Sequence, residues 1–396
     1  MPDGRLAIDG GTPVRATLLP YARQTVDAGD ERAVLEALRS DYLTTGPRVE
    51  AFEEAFAAHV GARHAVAFCN GTAALHAAAH VAGLGPGAEG LTTPLTFVAT
   101  ANCVRYVGAR PVFADIRDDT MTLDMRAAEA ALTPRTRALL PVDYAGAPAD
   151  LDEALALAER KSLVVIEDAA HSLGATYRGR CVGEIAHLTT FSLHAVKHIT
   201  TGEGGMVTTR ERDLAERLRR FRNHGIGADA KARAAQGSWF YDVVETGMNY
   251  RLTDVQCALG LSQLAKLPAT LARRRQIAAT YTKQLTAVTE VETPAVPPDR
   301  ESAWHLYPIR LRLDRLKVDR ARVFAALRAE NIGVNVHYVP VHLHSAYEGP
   351  GARGRFPHAE SAYDRLVTLP LWPGMTDHDV SDVVVAVDRV IAACRR

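Results

Sequence analysis

The chain has 396 residues with 46 basic and 46 acidic side chains, so its formal charge is zero and no global field recruits nucleic acid or an anionic membrane. This length suits a large domain plus a smaller one. The five cysteines, Cys69, Cys103, Cys181, Cys257 and Cys394, form no CxxC pair, which indicates neither a zinc site nor a disulfide framework and fits a reducing, cytoplasmic compartment.

The chain opens with "MPDGRLAIDGG", which lacks a basic-then-apolar signal pattern, and no uncharged apolar run reaches membrane-spanning length. A soluble protein is expected. Residues 1–25 read as an N-terminal arm and 26–265 as a large domain. From about Asp30 to Ala265, short apolar runs alternate with amphipathic stretches, the pattern of an α/β fold with a mainly parallel sheet. Seven runs are candidate strands: "HAVAF" (64–68), "GLTTP" (90–94), "RPVFADI" (110–116), "RALLPV" (137–142), "LVVIED" (163–168), "LTTFSL" (188–193) and "GGMVTT" (204–209). "TAALHAAAHVAGLG" (72–85) is helical and ends in glycines, as helices tend to. The polar stretch around 226–247 reads as a loop. A long helical pattern over 255–285 contains Pro268, a kink or break. The remainder, 266–396, reads as this linking helix and a small α+β domain: a strand in "HLYPIRLRL", a helix in "DRARVFAALRAENIG", a strand in "VNVHYVP" and a closing helix over 382–396.

The chemistry gathers around "FSLHAVKHITTGEGG" (191–205), where one lysine, Lys197, stands among aromatic, small and hydroxyl residues. Lysine amines form Schiff bases with carbonyls, and the cofactor built on this reaction is pyridoxal phosphate, which needs an acid partner for its pyridinium nitrogen. "VVIEDAAHSLGA" supplies an acid at a strand end, where open α/β sheets place ligands. Asp168 is assigned to the ring nitrogen, with Glu167 beside it. "FCNGTAALHAA" (68–78) runs from strand through glycine turn to helix, so the amides of Gly71, Thr72 and Ala73 would face a phosphate. Ser192 can add a hydroxyl. Phe97, in "PLTFVATAN", could stack on the pyridine ring or fill the core. Singly, each of these residues has an ordinary structural explanation; their convergence at strand ends of one domain favours a cofactor site.

"EDAAHSLGA", "FSLHAVKHITTGEGGMV", "NGTAALHAA", "TFVATAN" and "GMNYRLTDVQCALGLSQL" resemble the motifs of the DegT/StrS-type nucleotide-sugar aminotransferases, from about Pro20 to Tyr347. The resemblance implies the fold-type I aminotransferase architecture, pyridoxal phosphate on Lys197, and a homodimer with sites between subunits. By motif position it implies Thr72 and Ser192 at the phosphate, Phe97 facing the ring, Asp168 at the ring nitrogen and His171 near the ring hydroxyl. Asn249 would reach the phosphate from the other subunit, with Arg251 close to the substrate; the alternative is that Asn249 caps a turn before the helix starting near Thr253. Some relatives carry histidine in place of the lysine and perform dehydration, so Lys197 favours transamination. Two departures stand out: Asp143, where relatives often carry histidine, expected to matter for substrate contacts, and a glycine in "GLTTP" where an apolar residue is usual.

Within the family, "PYARQTVDAGDERAVLEALRSDYLTTGP" (20–47), "TTPLTFVATANC" and "WHLYPIRL" (304–311) look most like the 4-aminotransferases acting on UDP-4-keto-6-deoxy-N-acetylhexosamines of the pseudaminic-acid type. Tyr21, Arg23 and Tyr42 would then border the sugar-nucleotide groove, and His337 would either approach the sugar or be a buried strand histidine. The implied reaction moves nitrogen from L-glutamate to a C4 ketone, with Lys197 as proton shuttle. Amination at C3 of a dTDP- or UDP-linked 3-keto sugar is the alternative within the class. A cofactor-binding regulator without turnover is the alternative outside it.

Overall fold

The computed structural model describes residues 5–227 and 239–396. Part of the polar stretch read as a loop, residues 228–238, lies outside the described residues. All seven expected strands form: β1 (His64–Phe68), β2 (Glu89–Thr92), β3 (Arg110–Phe113), β4 (Thr136–Leu140), β5 (Val164–Asp168), β8 (Leu188–Ser192) and β9 (Gly205–Thr209). They make one seven-stranded sheet in the order β1-β9-β8-β5-β4-β2-β3. Only β9 runs against the others, pairing antiparallel with both β1 and β8. β4, β5 and β8 are almost wholly buried, which is why they read as unbroken apolar runs rather than alternating ones. A short three-stranded sheet, β6 (Thr176–Tyr177), β7 (Arg180–Cys181) and β11 (Arg300–Glu301), was not foreseen. Strands of two residues carry no usable periodicity.

Helices cover the main sheet. One of them, α3 (Gly71–Val81), buries Ala73, Ala74, Ala77 and Ala78 against it. The unusual glycine of the second strand, Gly90, has a packing cause: a Cβ there would lie 2.8 Å from Val104 Cγ2 and 3.1 Å from Leu140 Cδ1. The helix Ala99–Tyr106, which carries Val104, crosses the sheet at that point. No larger residue fits without displacing it.

The long helix runs unbroken from Asp254 to Leu285, with Pro268 inside it, so the expected break is absent and residues 265 and 266 share one rod. Its start is set by a capping box between Thr253 and Gln256. It packs against α1 (Ala28–Leu38), whose buried Asp30 accepts hydrogen bonds from Ser262 Oγ at 2.7 Å and Gln263 Nε2 at 2.7 Å.

Beyond the long helix, β10 (Val291–Glu292), β12 (Tyr307–Leu311) and β13 (Leu366–Leu369) form an antiparallel sheet. The helices Arg320–Ala329 and Asp377–Cys394 pack on it around a core that includes Val323, Leu327, Val383 and Val387. "VNVHYVP" is not a strand. Apart from one bridge, Asn335 to Thr368, it runs as irregular chain. The N-terminal arm belongs to this second core: Leu6 and Leu19 are buried in it, and the amides of Ala7 and Val14 donate to the Glu330 carboxylate at 2.9 and 2.8 Å.

Candidate active site

β5 ends at Asp168, β8 ends at Ser192, and β1 leads through Cys69 and Asn70 into α3. These carboxyl ends surround a cavity of about 700 Å³. Its lining contains Gly71, Thr72, Phe97, Asp168, His171, Ser192 and Lys197, together with Tyr21 and His337. Nine side chains or turn positions named from sequence thus come together from segments as distant as 21 and 337.

Lys197 follows β8 on a tight turn, its amide donating to His194 O at 2.9 Å. Its Nζ lies 3.4 Å from His305 Nε2. Burial lowers its pKa, the Asp168 carboxylate raises it and the Arg274 charge lowers it again; the balance stands at about 8. An amine in this range has roughly a tenth of its population free at pH 7, a far larger nucleophilic and basic fraction than an ordinary lysine offers. The imidazoles of His171, His198 and His305 are held well below their ordinary pKa, first by burial and also by the charge of Lys197, so they stand neutral around it.

Asp168 is fixed from two sides. Thr100 Oγ1 donates to its Oδ2 at 2.6 Å and the Ala170 amide to its Oδ1 at 3.2 Å. Burial raises its pKa, while Thr100, Ala170 and the Lys197 charge pull it down. Glu167, the next residue, faces the other way along the strand, as pleating requires. It is fully buried, accepts from Thr189 Oγ1 at 2.8 Å and does not line the cavity. Burial, and then the charge of Asp143, push its pKa well up, so it is held in its neutral form.

Asp143 is not where a substrate contact requires it. It is fully buried, with Ser172 Oγ donating to it at 2.5 Å and the Ala149 amide at 2.8 Å, and it lies outside the cavity lining. Burial raises its pKa to about 6 despite those donors.

The turn into α3 departs from expectation at one atom. Asn70 caps the helix, and its Oδ1 takes the Ala73 amide at 2.8 Å, so that amide is committed to the cap rather than offered to a phosphate. Gly71 and Thr72 line the cavity and Ala73 does not. A Cβ on Gly71 would sit 3.0 Å from Ser192 Cβ and 3.2 Å from its Oγ. Gly71→Ala should therefore displace Ser192 and weaken pyridoxal phosphate binding by about tenfold, ~1.4 kcal/mol. Equilibrium dialysis of the variant, with its circular dichroism unchanged, checks this.

Phe97 is 56% exposed at the cavity wall, which rules out a core role, and its ring centroid lies 5.8 Å from that of Tyr338. His171 Nε2 meets Tyr338 Oη at 3.1 Å, leaving its buried Nδ1 without a partner. His337 is 6% exposed; Thr368 Oγ1 lies 2.9 Å from its Nδ1, and burial lowers its pKa to about 4. Its ring centroid is 5.5 Å from that of Tyr21.

Besides Ala73, four named residues do not line this cavity in the single chain. Arg23 is exposed, and Tyr42, also exposed, packs its Cβ over Gly46 between α1 and the following helix. Arg251 lines a second cavity of about 580 Å³ with Arg219 and Arg222, and its Nη1 donates to Asn223 Oδ1 at 2.7 Å. Asn249 is exposed and pairs through a backbone bridge with Asn223, ahead of the helix that Thr253 caps. Sequence reasoning missed Thr100, His305 and Tyr338. His305 and Tyr338 nonetheless sit within "WHLYPIRL" and "NVHYVP", the two polar-aromatic segments already singled out.

The donor set fits pyridoxal phosphate: a buried amine, a buried carboxylate, a glycine turn against a serine hydroxyl, an exposed aromatic face and an unpartnered imidazole nitrogen. Among the described residues, no cluster of histidine, cysteine or carboxylate side chains suits a metal ion, and no helix is long and apolar enough to cross a membrane. The five cysteines are free.

Comparison with known proteins agrees with the site. Residues 24–388 match the model of the DegT/DnrJ/EryC1/StrS aminotransferase family. The spore coat polysaccharide biosynthesis protein SpsC of Bacillus subtilis is 42% identical over 95% of this chain and 98% of its own. Among solved structures, Spr1654 of Streptococcus pneumoniae, described as a sugar aminotransferase in its PMP form, superposes with a TM-score of 0.89 at 31% identity, covering 95% of this chain and 99% of that one. PseC of Helicobacter pylori, an aminotransferase of pseudaminic acid biosynthesis, gives 0.88 at 32% identity over 95% of this chain and all of its own. The chain belongs to the DegT/DnrJ/EryC1/StrS family and is a pyridoxal phosphate-dependent sugar aminotransferase of fold type I.

Proposed function

We propose that this aminotransferase moves the amino group of L-glutamate to the C4 ketone of a nucleotide-linked 4-keto-6-deoxy sugar, a UDP-4-keto-6-deoxy-N-acetylhexosamine, giving the 4-amino sugar nucleotide and 2-oxoglutarate. The observation that carries transamination is the buried Lys197 amine facing the same cavity as Asp168. The C4 assignment is supported by the likeness of the 20–47 and 304–311 segments to 4-aminotransferases and by the similarity to PseC.

When bound, pyridoxal phosphate supplies a carbonyl for amines and a ring that stores the electron pair left by a departing proton. Gly71, Thr72 and Ser192 would hold its phosphate, Phe97 would face its ring, His171 would lie near its hydroxyl and Asp168 would pair with its ring N–H. The Lys197 Nζ holds the cofactor between turnovers and, once released, takes a proton from the donor carbon and returns one to the sugar carbon. Tyr21 and His337 form the wall offered to the sugar.

Enzymatically made UDP-, dTDP- and GDP-linked keto sugars, assayed with glutamate, test the reading. NMR of the product should place nitrogen on C4, and nitrogen on C3 would overturn the regiochemistry. Absence of glutamate-driven conversion of the cofactor spectrum to its amine form would indicate a regulator.

The proposal includes a homodimer in which Asn249 and Arg251 serve the site of the other copy; neither lines the cavity of its own chain. Asn249→Asp would set a carboxylate against the cofactor phosphate and should weaken its binding. When Lys197→Ala and Asn249→Asp subunits are refolded together, half of the dimers are mixed and each keeps one intact shared site, so about a quarter of the wild-type activity should return. No recovery, with mixed dimers demonstrated, would refute the shared site.

A further inference from the structure

The middle of the long helix carries an arginine that is 2% exposed, Arg274. A buried guanidinium ordinarily has a carboxylate beside it, because an unpaired buried charge is costly. Arg274 has none among the described residues. Its Nη1 donates to three main-chain carbonyls, of Trp304 at 3.2 Å, His305 at 3.5 Å and Leu371 at 3.2 Å, and its Nε has no partner. The first two carbonyls belong to the segment that sets His305 against the Lys197 amine. The third belongs to the small domain.

We propose that Arg274 is a positioning residue: its guanidinium holds the Trp304–His305 main chain that sets His305 against the Lys197 amine, and its unneutralised charge favours the free form of that amine. Asp168 is the carboxylate acting on that amine and favours its protonated form, with Glu203 lining the same cavity. The imidazoles of His171, His198, His305 and His337 surround it as neutral groups. Without a second cation, Asp168 would stand opposed by burial alone. The Arg274 charge disfavours protonation of Lys197, His198 and His305 alike, which raises the fraction of Lys197 free to attack a carbonyl. The inference rests on Lys197 as the reacting amine and not on which keto sugar is used.

The test is the pH dependence of Lys197 reactivity in the apo-protein, read as the initial rate of trapping by pyridoxal and borohydride and located by peptide mass. Wild-type trapping at Lys197 should rise with pH with a midpoint near 8; a midpoint near 10.5 would overturn the proposal. If the trapped lysine were another residue, the reading of Lys197 itself would fail, a result distinct from a shifted midpoint. Arg274→Gln, which removes the charge, should move the midpoint up by about one unit, roughly tenfold less free amine at a given pH. Arg274→Lys, which keeps the charge, should stay within about half a unit of wild type. A folded Arg274→Gln protein with an unchanged midpoint would make the residue merely structural. Should that variant fail to fold, a midpoint of Arg274→Lys at the ordinary lysine value would overturn the charge assignment.

Discussion

Lys197→Ala is expected to lose at least ~10⁴-fold in turnover, since one substitution removes both the covalent anchor and the group that carries the proton. No other lysine lines the cavity. Borohydride treatment should fix the cofactor to the wild-type chain and leave the variant unlabelled by mass. The fold should survive, because the Lys197 amine makes no bond that holds two elements together beyond the 3.4 Å contact to His305. Near-normal turnover by this variant would end the mechanism.

Asp168→Asn should cost on the order of 10³-fold, because the charge that keeps the ring nitrogen protonated disappears while shape is retained. Cofactor affinity should fall with it. The neighbouring acid provides the control. Glu167 is already held neutral by burial and by Asp143, so Glu167→Gln replaces a protonated carboxyl with an isosteric amide and should change turnover by less than about threefold. If the two results were exchanged, the ring acid would be Glu167.

The seven-stranded sheet was legible because buried parallel strands announce themselves as apolar runs, and because glycines and prolines punctuate them. The site was legible where a residue ends a strand, as with Asp168 and Ser192, or follows one closely, as with Lys197. It was not legible where main-chain geometry decides. The Ala73 amide is claimed by the Asn70 side chain, which only the turn geometry reveals. "VNVHYVP" has the composition of a strand but runs along the cavity, where Asn335, His337 and Tyr338 line it. Asp143 lies behind the site, because its donors Ser172 and Ala149 fasten it there. Arg274 did leave a signal. It falls on the helical face of Leu267, Leu271, Ile277 and Tyr281, an apolar stripe that a charged residue should not join without a reason.

The arm that packs on the second core has a consequence for synthesis. Ala7 and the Glu330 that receives its amide are 323 residues apart in sequence. At ribosomal rates of about 5–20 residues per second, the arm waits roughly 16–65 s for its partner to be made. Leu6 and Leu19 have no core to enter during that interval, although the last strand of the large sheet is complete by Thr209. The nascent chain thus holds a completed sheet while the arm is still unplaced and the late-made side of the cavity, His305, His337 and Tyr338, is missing. This makes the arm, and not the sheet, the segment that a chaperone would have to shield.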